Sequence, residues 1–100
     1  MSTDDIPGKI AFIVKMLESS QISISDIADL TNISRTSYYR WKDGKPASDR
    51  IRINAAYITA QRLEQAIHDN RLPLQARIPN KKERQKILKR IIRESVPSAS

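Results

Sequence analysis

Three observations predict an all-α fold of about five helices for this 100-residue chain. Apolar residues recur every three or four positions in three separate segments, the spacing of one helical face. No apolar–polar alternation runs long enough to argue for a strand. The internal breakers Gly44, Pro46, Pro73 and Pro79 fall between the periodic segments rather than inside them.

The first helix is expected over Lys9 to Ser19, where Ile10, Ile13, Val14 and Leu17 share a face. After the polar turn "SSQIS", Ser25 is placed to cap a short helix over Asp26 to Thr31, with Asp26 suited to the positive helix end. Asn32 follows, a residue that tolerates the left-handed backbone of a tight reversal. Ser34 then caps a third helix that runs to Asp43, where Gly44 terminates it and Pro46 forbids continuation. Ser48 is the expected cap of the longest helix, reaching about Asn70, with Ala56, Ala60, Leu63 and Ile67 in one stripe and Ala55 and Ile58 widening it. "RLPLQARIP" reads as an extended connector. Asn80 with Glu83 three residues on opens a basic fifth helix ending near Ser95, whose apolar stripe is Ile87, Leu88, Ile91 and Ile92. The domain reading is 1–72 as the main unit, 73–80 as connector, 81–95 as basic C-terminal helix and 96–100 as tail.

Charge separates the chain into blocks. Lys and Arg number 18 against 11 Asp and Glu, a net of +7. Residues 1–34 hold two basic and five acidic groups, whereas 35–52 hold six and two, and 71–94 hold nine and two. Two concentrated basic regions point to a polyanionic partner, because phosphates attract Lys and Arg and the released counterions drive binding. Absence of cysteine excludes disulfides and thiolate zinc sites and is compatible with a reducing cytoplasm, the expected location. A single histidine, His68, supports neither a metal site nor a Cys/His nucleophile, and there is no Gly-rich phosphate loop. No catalysis, metal or cofactor is expected. No run of eighteen apolar residues exists to span a membrane.

Two short helices joined by a three-residue turn, set among other helices, form the arrangement that places a second helix in the DNA major groove. Ile27, Ala28, Ile33, Tyr38 and Trp41 are the expected motif core, with Ala28 small enough for the two helices to cross closely. In "IADLTNIS" and "YYRWKDGKP" the chain resembles the Cro/C1-type helix-turn-helix repressors of phages, plasmids and bacterial chromosomes, over roughly Lys9 to Pro46. It also looks like the helix-turn-helix of some insertion-element transposition proteins, which favour "SRSSYYRW". The resemblance implies double-stranded DNA as partner.

With Tyr38 and Trp41 turned inward, the outward face of the third helix is Ser34, Arg35, Thr36, Ser37, Tyr39 and Arg40, the expected base contacts. Arginine bonds guanine bidentately, Ser and Thr meet a base edge or a phosphate, and a tyrosine ring packs on a thymine methyl. Lys42, Lys45, Arg50 and Arg52, at the exit of that helix, are the expected phosphate contacts. The stripe of Ile87, Leu88, Ile91 and Ile92 needs cover either from the fourth helix or from a second copy, and a homodimer is the expectation. Lys81, Lys82, Arg84, Lys86, Lys89, Arg90 and Arg93 are then either flanking phosphate contacts or a solvated face. The expected function is a sequence-specific transcriptional regulator, a repressor of phage, plasmid or mobile-element type acting as a dimer on a palindromic operator. The alternatives are an accessory factor for recombination, transposition or plasmid partition, and a protein-interaction module such as an antitoxin.

Overall fold

The computed structural model describes residues 5–45, 47, 49–72 and 78–94. Within them are five helices and no strand: α1 Ile6–Ser20, α2 Ile24–Thr31, α3 Arg35–Lys42, α4 Arg50–His68 and α5 Lys81–Glu94. The all-α helix-turn-helix expectation holds.

Several boundaries move for local reasons. α1 starts at Ile6 rather than Lys9, because the Asp5 carboxylate accepts the Gly8 N–H at 3.1 Å and Pro7 sits in the first turn, where its missing N–H costs nothing. α2 is capped by Ser23, not Ser25; the Ser23 hydroxyl accepts the Asp26 N–H at 3.1 Å. Ser48, expected to cap α4, lies outside the described residues, as do Pro46, Ser95 and most of the connector. Asp49 supplies the cap instead, accepting the Arg52 N–H at 3.1 Å. Asn80 caps α5 as expected, its side-chain oxygen accepting from the N–H groups of Lys82 and Glu83 at 2.9 and 3.3 Å.

One core joins all five helices. Ile13 and Met16 of α1, Ile27 and Ala28 of α2, Tyr38 and Trp41 of α3, Ile53, Ala56, Ala60, Leu63 and Ala66 of α4, and Leu88 and Ile91 of α5 are all buried. Each fully buried Ile or Leu contributes about 1.5–3 kcal/mol. α1 and α4 form the most extensive helix pair. Its rim carries a Phe12–Tyr57 edge contact at 5.3 Å and a Lys9 Nζ bond to the Asn54 side-chain Oδ1 at 2.7 Å. The alanines of α4 let neighbouring helices approach closely. Ala55 and Ile58, expected to widen the buried stripe, point outward, and Ile51 is 84% exposed. The true α4 stripe starts at Ile53.

The apolar side of α5 is spent inside the chain. Leu88 and Ile91 are 2% and 3% exposed, and Ile87 and Ile92 pack against the same core. Of these four residues, expected to form a dimer seam, Leu88 and Ile91 are buried in the core shared with α2 and α4, and Ile87 and Ile92 are half-buried at its edge.

Candidate nucleic-acid interface

The reversal between α2 and α3 is built as the sequence dictates. Asn32 adopts φ 58° and ψ 33°, and the Ile33 N–H reaches the Ala28 carbonyl at 3.2 Å, satisfying an end carbonyl of α2. Ala28 and Ile33 are buried beside Ile27, so the expected motif core is assembled. The far end of α3 closes at Gly44, whose φ of 73° suits a residue without Cβ.

α3 is anchored through its inner side. Tyr38 is 1% exposed and meets Trp41 edge-on, with ring centroids 5.0 Å apart. Its hydroxyl lies 2.6 Å from Thr31 Oγ1, and the Thr31 hydroxyl donates to the Ile27 carbonyl at 2.8 Å. Threonine has one proton to give, so Tyr38 must be the donor in the shared bond. That bond ties the end of α2 to the middle of α3. Burial pushes the Tyr38 phenol up to about 12.

The outer side of α3 is what this anchoring presents. Arg35, Thr36, Tyr39 and Arg40 are exposed on it, Tyr39 by about half. Tyr39 and Lys42 border a groove of about 370 Å³ lined by Val14, Leu17, Ile22 and Ile24, so the ring stands at the corner between α1 and α2. The two serines are placed differently from the rest. Ser34 is the N-cap, accepting the Ser37 N–H at 3.3 Å, and the two hydroxyls are 3.1 Å apart. Ser37 is half-buried, so both hydroxyls serve the helix start.

Of the expected phosphate contacts, Lys42 and Lys45 are exposed and rim a larger groove of about 740 Å³ floored by Ile6, Ile10 and Val14 beside Trp41. Arg50 is exposed at the start of α4. Arg52 is exposed too, but its guanidinium lies 3.4 Å from the Asp49 carboxylate, which offsets part of its charge. An exposed pair of this kind is worth about 0–1 kcal/mol, so a phosphate can displace it.

The sequence reading missed a polar cluster that fixes α5 to the first helix of the motif. Arg84 donates from Nε and Nη2 to the Asp26 carboxylate at 3.0 and 3.4 Å, and from Nη1 to the carbonyls of Ile78 and Pro79 at 2.7 and 3.0 Å. Asp26 is 6% exposed, so its charge needs this partner. Gln85 donates to the Asp26 carbonyl at 2.9 Å. Lys81 pairs with Asp29 and donates to Ser25 Oγ at 3.1 Å. The hydrogen-bonded Lys81 ammonium holds the Asp29 carboxyl below its usual range, and the charge of Arg35 adds to the effect. Arg84 is therefore committed inward, and Lys81, itself exposed, is paired with Asp29. At the other end of α5, Arg71 bonds Glu94 at 2.6 Å and lowers its carboxyl in the same way.

Among the described residues no group of three or more His, Cys, Asp or Glu is placed to hold a metal ion, and no helix is long and apolar enough to cross a membrane. A family model, the helix-turn-helix domain of resolvase, matches residues 4–45, from ahead of α1 to the turn after α3. Neither the curated proteins nor the solved structures provide a match. The family match supports a helix-turn-helix DNA-binding unit, and it does not single out the Cro/C1 repressors that the motif resembles.

Proposed function

We propose that the chain binds double-stranded DNA sequence-specifically by laying α3 into the major groove. Arg35, Thr36, Tyr39 and Arg40 then face base edges, while Lys42, Lys45, Arg50 and Arg52 hold phosphates. The observation that carries this reading is the division of α3: Tyr38 and Trp41 are locked in the core, and every long polar side chain of the helix is left exposed. In this reading the protein acts by binding alone, with no cofactor and no catalytic step, inside the cell.

As a transcriptional repressor of phage, plasmid or mobile-element type it would act by occupying an operator and excluding polymerase. Two copies on a palindrome place two recognition helices one turn apart and convert weak half-site binding into tight binding. An accessory role in recombination, transposition or plasmid partition is supported at least as well, by the match to the helix-turn-helix domain of resolvase.

Selection of bound sites from random duplex DNA, followed by footprinting, tests the proposal. The expected result is a short consensus, with two half-sites one helical turn apart if the protein binds as a dimer. A consensus in promoters favours the repressor, and one at recombination or partition sites favours the accessory factor. Failure to retain any duplex overturns the DNA reading and favours a protein-interaction module such as an antitoxin.

A further inference from the structure

α5 carries charge that neither the core nor α3 uses. At 100° per residue, Lys82, Lys86, Lys89 and Arg93 fall within about 60° of one another on the helix circumference, with Arg90 on the flank. All five are exposed. Leu88 and Ile91 lie on the opposite side and are buried. The ridge from Lys82 to Arg93 is about 16 Å long at 1.5 Å per residue, and a duplex presents one charge per ~1.7 Å of axis.

The mounting of α5 fixes where this ridge lies. Arg84 and Gln85 hold α5 to Asp26, and Lys81 holds it to Ser25 and Asp29 on the outer edge of α2. The charge of Arg35, the first residue of α3, reaches the same Asp29 carboxylate. The start of α5 and the start of α3 thus border one face of α2. Because the apolar side of α5 is covered, no face is left to enter a bilayer, as an interfacial helix requires.

We infer that the Lys82, Lys86, Lys89 and Arg93 ridge is a second DNA-contacting surface, gripping backbone phosphates that flank the segment read by α3. It rests on the reading that α3 binds duplex DNA. The lysine ammonium groups that make up most of the ridge contact phosphate without reading sequence, so the ridge adds affinity and footprint rather than specificity. Its attachment to α2 through Arg84 pre-organises it, and little ordering is lost on binding.

The test uses the full chain with Lys82→Gln, Lys86→Gln and Lys89→Gln combined, exposed changes that keep helix propensity; circular dichroism checks the fold. On the selected duplex, three lost contacts lower the salt slope by about 2.7, at ~0.9 each, so the wild-type advantage shrinks about 40-fold between 50 and 200 mM salt. The preference for selected over scrambled duplex stays as in wild type. Methylphosphonates at the flanking phosphates weaken wild type and leave the triple variant nearly unaffected. An unchanged slope overturns the inference, as does a methylphosphonate effect of equal size in both proteins. Ridge-dependent binding to phosphatidylserine vesicles with an unchanged DNA slope overturns it in favour of a membrane surface. Failure of the α3 reading shows separately, as Arg40→Ala keeping full sequence preference.

Discussion

α3 and α5 are both basic, and they are fixed to the same α2 by different chemistry. α3 is held by aromatic burial and one phenol bond, and it presents arginine, threonine and tyrosine outward. α5 is held by a guanidinium on a buried carboxylate, and it presents a row of lysines closed by an arginine. Mixed side chains with directional donors and acceptors suit base edges, whereas ammonium groups are point charges suited to phosphate. The comparison teaches that net charge alone does not say what a basic helix does. Its anchoring and the variety on its free face do.

The largest expected effect breaks the anchoring of α5. Ile91→Lys places a charge at a site 3% exposed and should cost about 4–5 kcal/mol, removing most of the stability of a domain this small. Urea unfolding followed by circular dichroism reads this directly. A fully stable variant altered only in sedimentation would return the stripe to an intermolecular seam. Arg84→Ala comes next, leaving Asp26 buried without its partner and the carbonyls of Ile78 and Pro79 without a donor. The expected loss is about 3 kcal/mol, at the lower end for a broken buried pair because the Arg84 side chain is 29% exposed. A loss below 0.5 kcal/mol, by the ~0–1 kcal/mol standard of surface pairs, would make the contact ornamental.

On α3 the effects are smaller and divide between binding and stability. Arg40→Ala should leave stability within ~0.5 kcal/mol and cost about 1–3 kcal/mol on the selected duplex, with no change on scrambled duplex. Equal weakening on both, measured by fluorescence anisotropy, reassigns Arg40 to phosphate. Tyr38→Phe should cost about 1 kcal/mol at neutral pH, for the bond to Thr31. The wild-type phenol is raised from 10.0 to about 12, so the unfolded chain loses that proton first as pH rises. Stability is therefore fully present below pH 10 and falls between pH 10 and about 12, and the phenylalanine variant lacks this part of the decline. Parallel alkaline profiles for the two proteins would contradict the assignment.

What the sequence made legible was local. The turn at Asn32, the Ser34 and Asn80 caps, the Gly44 stop and the inward phase of Tyr38 and Trp41 each follow from a residue and its nearest neighbours. The α2 cap shows where that reasoning ends. Ser23 and Ser25 have the same capping chemistry, and α2 uses Ser23, with Ser25 instead accepting from Lys81 and Asp26 taking Arg84 58 residues away. The outward turn of Ala55 and Ile58 was hidden because alanine-rich α4 is compatible with more than one phase. For the candidate site, the exposure of Arg35, Thr36, Tyr39 and Arg40 was readable from helical phase, but the capping use of Ser37 and the partner of Arg52 were not. The destination of the α5 stripe was open for the same reason: amphipathicity says a face must be covered and not by what.

Protection of guanine N7 from dimethyl sulfate on the selected duplex tests the central claim most directly, since N7 lies in the major groove where α3 is placed. The account predicts at least one protected guanine in each bound site, lost in Arg40→Ala or Arg35→Ala and kept in the triple lysine variant at a concentration that saturates the site. Binding with every N7 open, or protection that survives both arginine changes, would contradict it.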